Sequence, residues 1–359
     1  MKNLSAYINI YFIGIGGIGM SALARYFKER KFNVTGYDKT PSPLTDELHK
    51  EGIIIHFEDK GNNISCDFVN IDDTLVIYTP AIPSDFGEFV YFKQNNFTIL
   101  KRAQVLGLIT QNTKGLAVAG THGKTTTSSM LAHILNSSAL KCSAFLGGIS
   151  TNLNSNYISS TQSDLTVIEA DEFDRSFLQL NPFASIITST DADHLDIYGD
   201  ANHFIEGFQL YANQINKEGL LVMKKGLELT SNATIKTYAI NQDADFSGIN
   251  LQIEKEKFYM DVKFQKNIWK KVELGLPGIH NAENALACIA ISLFLKLNEI
   301  DVRNALRSFR GVKRRFECHI KTNKLIYIDD YAHHPTEIKA LIDSVKLIYP
   351  QKRIVGIFQ

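Results

Sequence analysis

Apolar runs rich in Ile, Val and Tyr alternate with amphipathic stretches along the first part of the chain. INIYFIGIG (8–16) is a continuous apolar run and predicts a buried strand. Met20–Arg30 carries a helical spacing of apolar positions, and Phe32–Tyr37 reads as the next strand. Leu44–Lys50 predicts a helix, with Gly52–His56 and Thr74–Tyr78 as further strands. Strand and helix in alternation predict a parallel sheet covered by helices. A second unit starts near residue 110. Gly115–Ala119 predicts a strand and Thr125–Leu135 a helix, while Leu165–Glu169 and Ser185–Thr188 are β-branched strands. Ala282–Leu297 is the most apolar helix. A third unit follows, with a strand at Lys324–Ile328, a helix at Pro335–Leu347 and a strand at Arg353–Phe358. The expected class is α/β, in three units: 1–109, 110–312 and 313–359.

Composition narrows the functional classes. The 359 residues allow two or three domains at about 150 residues each. Hydrophobic residues at 44% and charged residues at 21% exclude a disordered, collagenous or coiled-coil chain. The 38 basic and 38 acidic residues cancel, which argues against general attraction to nucleic acid or anionic membrane. Cys66, Cys142, Cys288 and Cys318 form no CxxC and read as reduced thiols of a cytoplasmic protein. The start, MKNLSAYINIYF, lacks the basic and apolar regions of a signal peptide. The longest apolar stretch, Ala285–Leu295, is shorter than the roughly 20 residues that span a bilayer.

Six motifs carry candidate chemistry. Gly14-Ile15-Gly16-Gly17-Ile18-Gly19-Met20 joins a strand to a helix, where glycines let backbone approach a diphosphate and the helix N-terminus offers amides. Asp38, 19 residues after Gly19, stands where an acid binds a ribose. A diphosphate ligand, NAD, and purely structural turn glycines all remain open for this motif. Gly120-Thr121-His122-Gly123-Lys124-Thr125-Thr126 lies between a strand and a helix. Its GKT triplet suits a triphosphate, with Lys124 neutralising charge and Thr125 offering a hydroxyl to Mg²⁺. Val118 stands where a standard phosphate loop has its first glycine, so this is a shorter variant. Glu169-Ala170-Asp171-Glu172 ends a strand, and alternation lets Glu169 and Asp171 share a face, with Glu169 the best-placed cation ligand. His194, within Asp191–Asp196, is a candidate for a hard metal or for moving a proton. His280, Asn281 and Asn284 open the apolar helix. The two asparagines share a face and suit an adenine edge, with helix capping by Asn281 as the plain alternative. Finally, Lys313-Arg314-Arg315-Phe316-Glu317 and Asp329-Asp330-Tyr331-Ala332-His333-His334-Pro335 offer Arg315 as a phosphoryl clamp and Asp330 as a ribose or Mg²⁺ contact.

Taken in order, GIGGIGM, GTHGKTTT, EADEFDRSF, DADHLD, GIHNAEN, KRRFE and DDYAHHPTE resemble the Mur ligases, ATP-dependent amide-forming enzymes of bacterial peptidoglycan synthesis. The resemblance covers the whole chain. It implies a Rossmann-like N-terminal domain that binds UDP-sugar rather than NAD, through Gly14, Gly16, Gly17, Gly19, Met20 and Asp38. It implies a central P-loop domain and a Rossmann-like third domain. It further implies that Gly120–Thr126, His280, Asn281, Asn284, Arg315 and Asp330 bind ATP; that Thr125, Glu169 and His194 hold Mg²⁺; and that Lys124, Glu169, His194 and Arg315 carry catalysis. The motifs sit nearest the member that joins L-alanine to the lactyl carboxylate of UDP-N-acetylmuramate through an acyl phosphate. A ligase adding a preformed peptide to the same sugar nucleotide is the alternative. An NAD-dependent oxidoreductase and a noncatalytic UDP-sugar binder are alternatives of other classes. Ser189 departs from an Asn associated with that position. The third domain of the family is longer than 313–359, so the chain is expected to be a slowly turning fragment with an aggregation-prone sheet edge.

Overall fold

The computed structural model describes residues 4–192 and 195–358. Its first unit is a five-stranded parallel sheet. The strands are β1 Asn9–Ile13, β2 Asn33–Tyr37, β3 Ile54–His56, β4 Thr74–Tyr78 and β5 Thr98–Lys101, in the order β3-β2-β1-β4-β5. Order reverses beside β1, so the crevice at the carboxyl ends of β1 and β4 is the ligand position of an open parallel sheet. Helices α1 Ile18–Glu29, α2 Pro43–Lys50, α3 Gly87–Gln94 and α4 Arg102–Thr110 make the connections. The expected strands and helices here are present within a few residues. α3, β5 and α4 were not anticipated, because α3 and α4 lack a one-sided apolar stripe.

The second unit is a ten-stranded mixed sheet. Its strands are β6 Lys114–Ala119, β7 Ser143–Ser150, β8 Ser155–Ile158, β9 Leu165–Glu169, β10 Ala184–Ile187, β11 Leu220–Lys224, β12 Thr234–Ile240, β13 Phe246–Glu254, β14 Lys257–Phe264 and β15 Asn267–Leu274. The order is β15-β14-β13-β12-β11-β10-β6-β9-β7-β8, parallel from β13 to β7 and antiparallel at both ends. The helices are α5 Lys124–Ser137, α6 Leu195–Tyr198, α7 Ala201–Asn213, α8 Ile279–Phe294 and α9 Glu299–Ser308. β6 lies between β9 and β10, so its loop emerges at the middle of the sheet.

Period-two alternation sorts β6 onto two cores. Leu116 and Val118 face a core formed with α5, α8 and the β13–β15 meander. Ala117 and Ala119 face a second core that runs without a break from β1 and α1 into β7 and α7. The first two units therefore share apolar contacts as well as a linker. Arg25 of α1 reinforces that seam: it is buried, pairs with Glu51 at 2.8 Å and Glu47 at 3.1 Å, and donates to Asn156 of β8.

After residue 313 the chain forms an antiparallel hairpin, β16 Glu317–Lys321 and β17 Ile326–Asp329, and then helix α10 Pro335–Ile348. The strand expected at Arg353–Phe358 is not formed. A strand needs a hydrogen-bonded neighbour, and among the described residues β16 and β17 pair only with each other, leaving 353–358 exposed. No helix is long and apolar enough to cross a membrane among the described residues.

Candidate active site

The loop after β6 is shaped by its glycines and strapped down by the end of β10. Gly120 has φ +125°, and a Cβ there would collide with the Thr188 hydroxyl. That hydroxyl donates to Ala119 O at 3.2 Å and also to His122 O. Ser189 accepts twice, from Thr121 N at its carbonyl (3.3 Å) and from His122 N at its hydroxyl (3.0 Å). Ser189, the departure from the family pattern, is thus a fastening for the loop. Gly123, at φ +80°, is the N-cap of α5 and supplies no side-chain cap, so the first amides of α5 stay available to an anion.

Lys124 folds over this loop. Its ammonium donates to Gly120 O at 2.8 Å and to Glu172 Oε1 at 2.7 Å. Thr125 Oγ1 donates to Glu169 Oε1 at 3.2 Å, and Glu169 Oε2 accepts from Gly147 N at 3.1 Å. Burial pushes the Glu169 carboxyl above its ordinary range, against the pull of Lys124 and the Thr125 hydrogen bond. Burial raises Glu172 too, again opposed by Lys124. Glu172 Oε2 is buried without a hydrogen-bond partner. One ammonium therefore faces one buried and one half-buried carboxylate, with a hydroxyl and an unpartnered oxygen beside them. Hard oxygen donors short of positive charge suit a cation such as Mg²⁺.

Strand alternation does not account for the placing of Asp171, although its charge still reaches Glu169. β9 ends at Glu169, so alternation stops there, and Asp171 turns to Arg102 at 3.1 Å. Arg102 in turn lies where a Cβ on Gly19 would sit. It therefore links the acidic turn after β9 to the first glycine loop. In that loop Gly14 (φ +89°) and Ile15 donate to Tyr37 O, and Gly16 N donates to Asp38 Oδ2 at 2.6 Å. Asp38 holds the glycine turn in shape. Gly17 is the N-cap of α1 without a side-chain cap. Met20 is 2% exposed, and its side chain is part of the core while lying against Gly17 of the loop.

A cavity of about 260 Å³ opens beside the second loop. His122, Gly123 and Thr126 border it from the loop, and His280, Asn281 and Asn284 from α8. Arg315, Asp330 and Glu337 border it from the following segment. Asn281 is not the cap of α8. Gly278 holds that position, while Asn281 sits in the first turn and donates to Pro277 O at 2.7 Å. Asn284 donates to Asn281 Oδ1 at 3.5 Å. Burial lowers His280 below the usual histidine range, with Asp330 opposing. Asp330 spends both oxygens on backbone, accepting from Phe316 N at 2.6 Å and Ala332 N at 2.8 Å. His194, the remaining expected cation ligand, lies outside the described residues.

Arg102, Gly147, Glu172 and Glu337 were not singled out from the sequence. Arg102 left one signal: a cation in the first turn of a helix opposes the helix dipole and calls for an acid nearby.

The chain matches three family profiles in succession: "Mur ligase family, catalytic domain" over residues 9–114, "Mur ligase middle domain" over 118–292, and "Mur ligase, glutamate ligase domain" over 314–359. A UDP-N-acetylmuramate–L-alanine ligase of Porphyromonas gingivalis is 48% identical over 355 residues, 98% of this chain and 78% of that protein. The protein of the same name from Flavobacterium johnsoniae is 49% identical, over 99% of this chain and 78% of its own length. Among solved structures, UDP-N-acetylmuramate–alanine ligase MurC of Thermotoga maritima superposes with a TM-score of 0.84 at 31% identity, covering 96% of this chain and 79% of that one. The UDP-N-acetylmuramate:L-alanyl-γ-D-glutamyl-meso-diaminopimelate ligase of Neisseria meningitides gives 0.76 at 25% identity, covering 86% and 100%. Profiles in this order, and identity near one half along the whole chain, establish that the chain belongs to the Mur ligase family.

Proposed function

We propose that this protein uses ATP to join L-alanine to the lactyl carboxylate of UDP-N-acetylmuramate, in units spanning 1–109, 110–312 and 313–359, in the cytoplasm. One observation carries the reading. The phosphate loop of β6 and α5, the amide pair of α8 and Arg315 with Asp330 border a single cavity, so three separate stretches of chain converge on one space.

In this reading the sugar nucleotide's diphosphate lies on Gly14, Gly16, Gly17 and Gly19, at the uncapped start of α1. ATP lies along Gly120–Thr126, with its adenine toward His280, Asn281 and Asn284. The lactyl carboxylate attacks the γ-phosphorus and displaces ADP, giving an acyl phosphate. The alanine amine attacks the acyl carbon, and the tetrahedral species collapses to the amide and inorganic phosphate. Lys124 leaves Glu172 to neutralise the β,γ-phosphates, and Arg315 adds a second fixed cation on the γ side. Thr125 and Glu169, with Glu172 Oε2 beside them, would hold Mg²⁺, which spreads the charge of the transferring phosphoryl group. Water must be kept from the acyl phosphate, and α10 lying over the loop supports that role for the third unit.

The amine distinguishes this from the peptide-adding alternative. ADP and phosphate release are measured with UDP-N-acetylmuramate, ATP and Mg²⁺, offering L-alanine or a preformed tripeptide. Release with L-alanine alone is the expected result; release with the tripeptide alone overturns it.

A further inference from the structure

The segment 314–337 is bent around one carboxylate. Arg314 and Phe316 both have left-handed backbone, φ +60° and +51°, so Arg315 stands between two turns. Asp330 fixes those turns through the Phe316 amide, and Tyr331 N donates to Arg314 O at 2.8 Å. The Tyr331 ring lies 5.3 Å from the Arg315 guanidinium carbon on one side. On the other side is Glu337, with Oε1 3.8 Å from Arg315 Nη1 and 3.3 Å from His122 Nδ1 of the phosphate loop. The rings of His122 and His334 lie 4.9 Å apart alongside. Glu337 is in the first turn of α10, and its other oxygen, Oε2, accepts from His333 N at 3.3 Å.

The geometry points to Glu337 as a positioning residue for phosphoryl transfer: one carboxylate oxygen holds His122 and Arg315 together, so the guanidinium is delivered to the phosphate loop before ATP arrives. The two oxygens divide the work. Oε2 does what an acid in a first helical turn ordinarily does, satisfying an amide. Oε1 does something a cap does not need, joining a residue of the loop before Lys124 to a cation some 190 residues later in the chain. That distinction requires charge on Oε1 but only an acceptor at Oε2. Glu337→Gln removes the first and retains the second.

This inference rests on the ligase reading, and the experiment separates the two. Wild-type protein is assayed for ADP formation with UDP-N-acetylmuramate, ATP, Mg²⁺ and L-alanine, alongside Glu337→Gln, Arg315→Lys and the double variant. The expected result is a kcat about tenfold lower for Glu337→Gln, KM for ATP within about twofold, and no further loss when the substitution is added to Arg315→Lys. An unchanged kcat, or losses that multiply in the double variant, overturns the positioning role while leaving the ligase reading intact. Wild-type protein that forms no ADP refutes the ligase reading instead. Positioning then stands or falls on hydrogen exchange of residues 120–124 and 314–316: several-fold faster in Glu337→Gln supports the clamp, and unchanged rates reduce Glu337 to a helix cap.

Discussion

The loop after β1 and the loop after β6 start from one plan. Each follows a wholly or almost wholly buried parallel strand, begins with a glycine at positive φ (Gly14 at +89°, Gly120 at +125°) and opens a helix without a side-chain cap. They part at charge. The first loop is braced by Asp38 on the Gly16 amide, and Arg102, which packs against Gly19, is already paired with Asp171. The second carries Lys124 between its own backbone and a buried acid, with a second, half-buried acid on Thr125. A diphosphate that is only held needs amides and a dipole. A phosphoryl group that is transferred gathers charge, and needs movable cations and acids to hold them. The two loops are the holding and the transferring versions of the same turn.

Lys124→Ala tests that division most severely. ADP formation is expected to fall about 10³-fold, as when a principal charge-stabilising donor is lost. Calorimetric affinity for UDP-N-acetylmuramate stays within about twofold, because the first loop has no part in the change. Equal loss of both would mean that the loops form one site, and the contrast would vanish.

Metal removal comes next. Chelation is expected to abolish ADP formation and leave UDP-N-acetylmuramate binding unchanged. Glu169→Gln lowers turnover about 10²-fold and moves the Mg²⁺ titration to higher concentration, since a hard oxygen pair loses its charge. A Mg²⁺ requirement for sugar-nucleotide binding by the first loop would contradict the assignment.

What was legible in the chain follows the same physics. β4 and β9 are found at their expected bounds, because an apolar β-branched run between breakers has few other fates. The glycine loops were legible because glycine and lysine at fixed spacing between strand and helix serve a local geometry. Alternation was carried two residues beyond the end of β9 to reach Asp171, and only the fold brings Arg102 within reach of it. Glu172 and Glu337 stood inside quoted motifs, yet their partners Lys124 and His122 are close in space and far apart in the chain. The strand expected at 353–358 had the right composition, but composition does not supply a neighbouring ladder. Met20 stands in the glycine motif with its side chain in the core, a burial that the motif alone does not show.

The third test concerns how the second loop is tied to the chain beyond residue 313. Burial alone would raise Glu337, but the His122 hydrogen bond, the His333 amide and the Arg315 charge outweigh it and hold the carboxyl down at about 2. A carboxyl lowered on folding stabilises the folded form above its unfolded value of 4.5 and loses that contribution as pH falls through about 2. The melting temperature of wild type is therefore expected to exceed that of Glu337→Gln by a few degrees near pH 5, and the gap to close by about pH 2. A gap that widens toward acid would show that the carboxylate is strained where it sits rather than held there.

Gly17→Ala is the mildest change and the cleanest reading of the first loop. Gly17 has φ −63° and ψ 146°, a conformation open to any residue. A Cβ there meets nothing closer than Gly14 O at 3.6 Å, an ordinary contact. The variant is expected to keep its stability within about 0.5 kcal/mol, as a substitution that breaks no packing or hydrogen bond. The same methyl group nevertheless projects beside the uncapped first amides of α1, where diphosphate oxygens would approach. UDP-N-acetylmuramate affinity should fall about fivefold while ATP affinity holds. Because the fold does not need glycine here, a loss of affinity reports on the ligand alone. Unaltered binding of the sugar nucleotide would place its diphosphate elsewhere and make the GxGxxG spacing a matter of chain geometry.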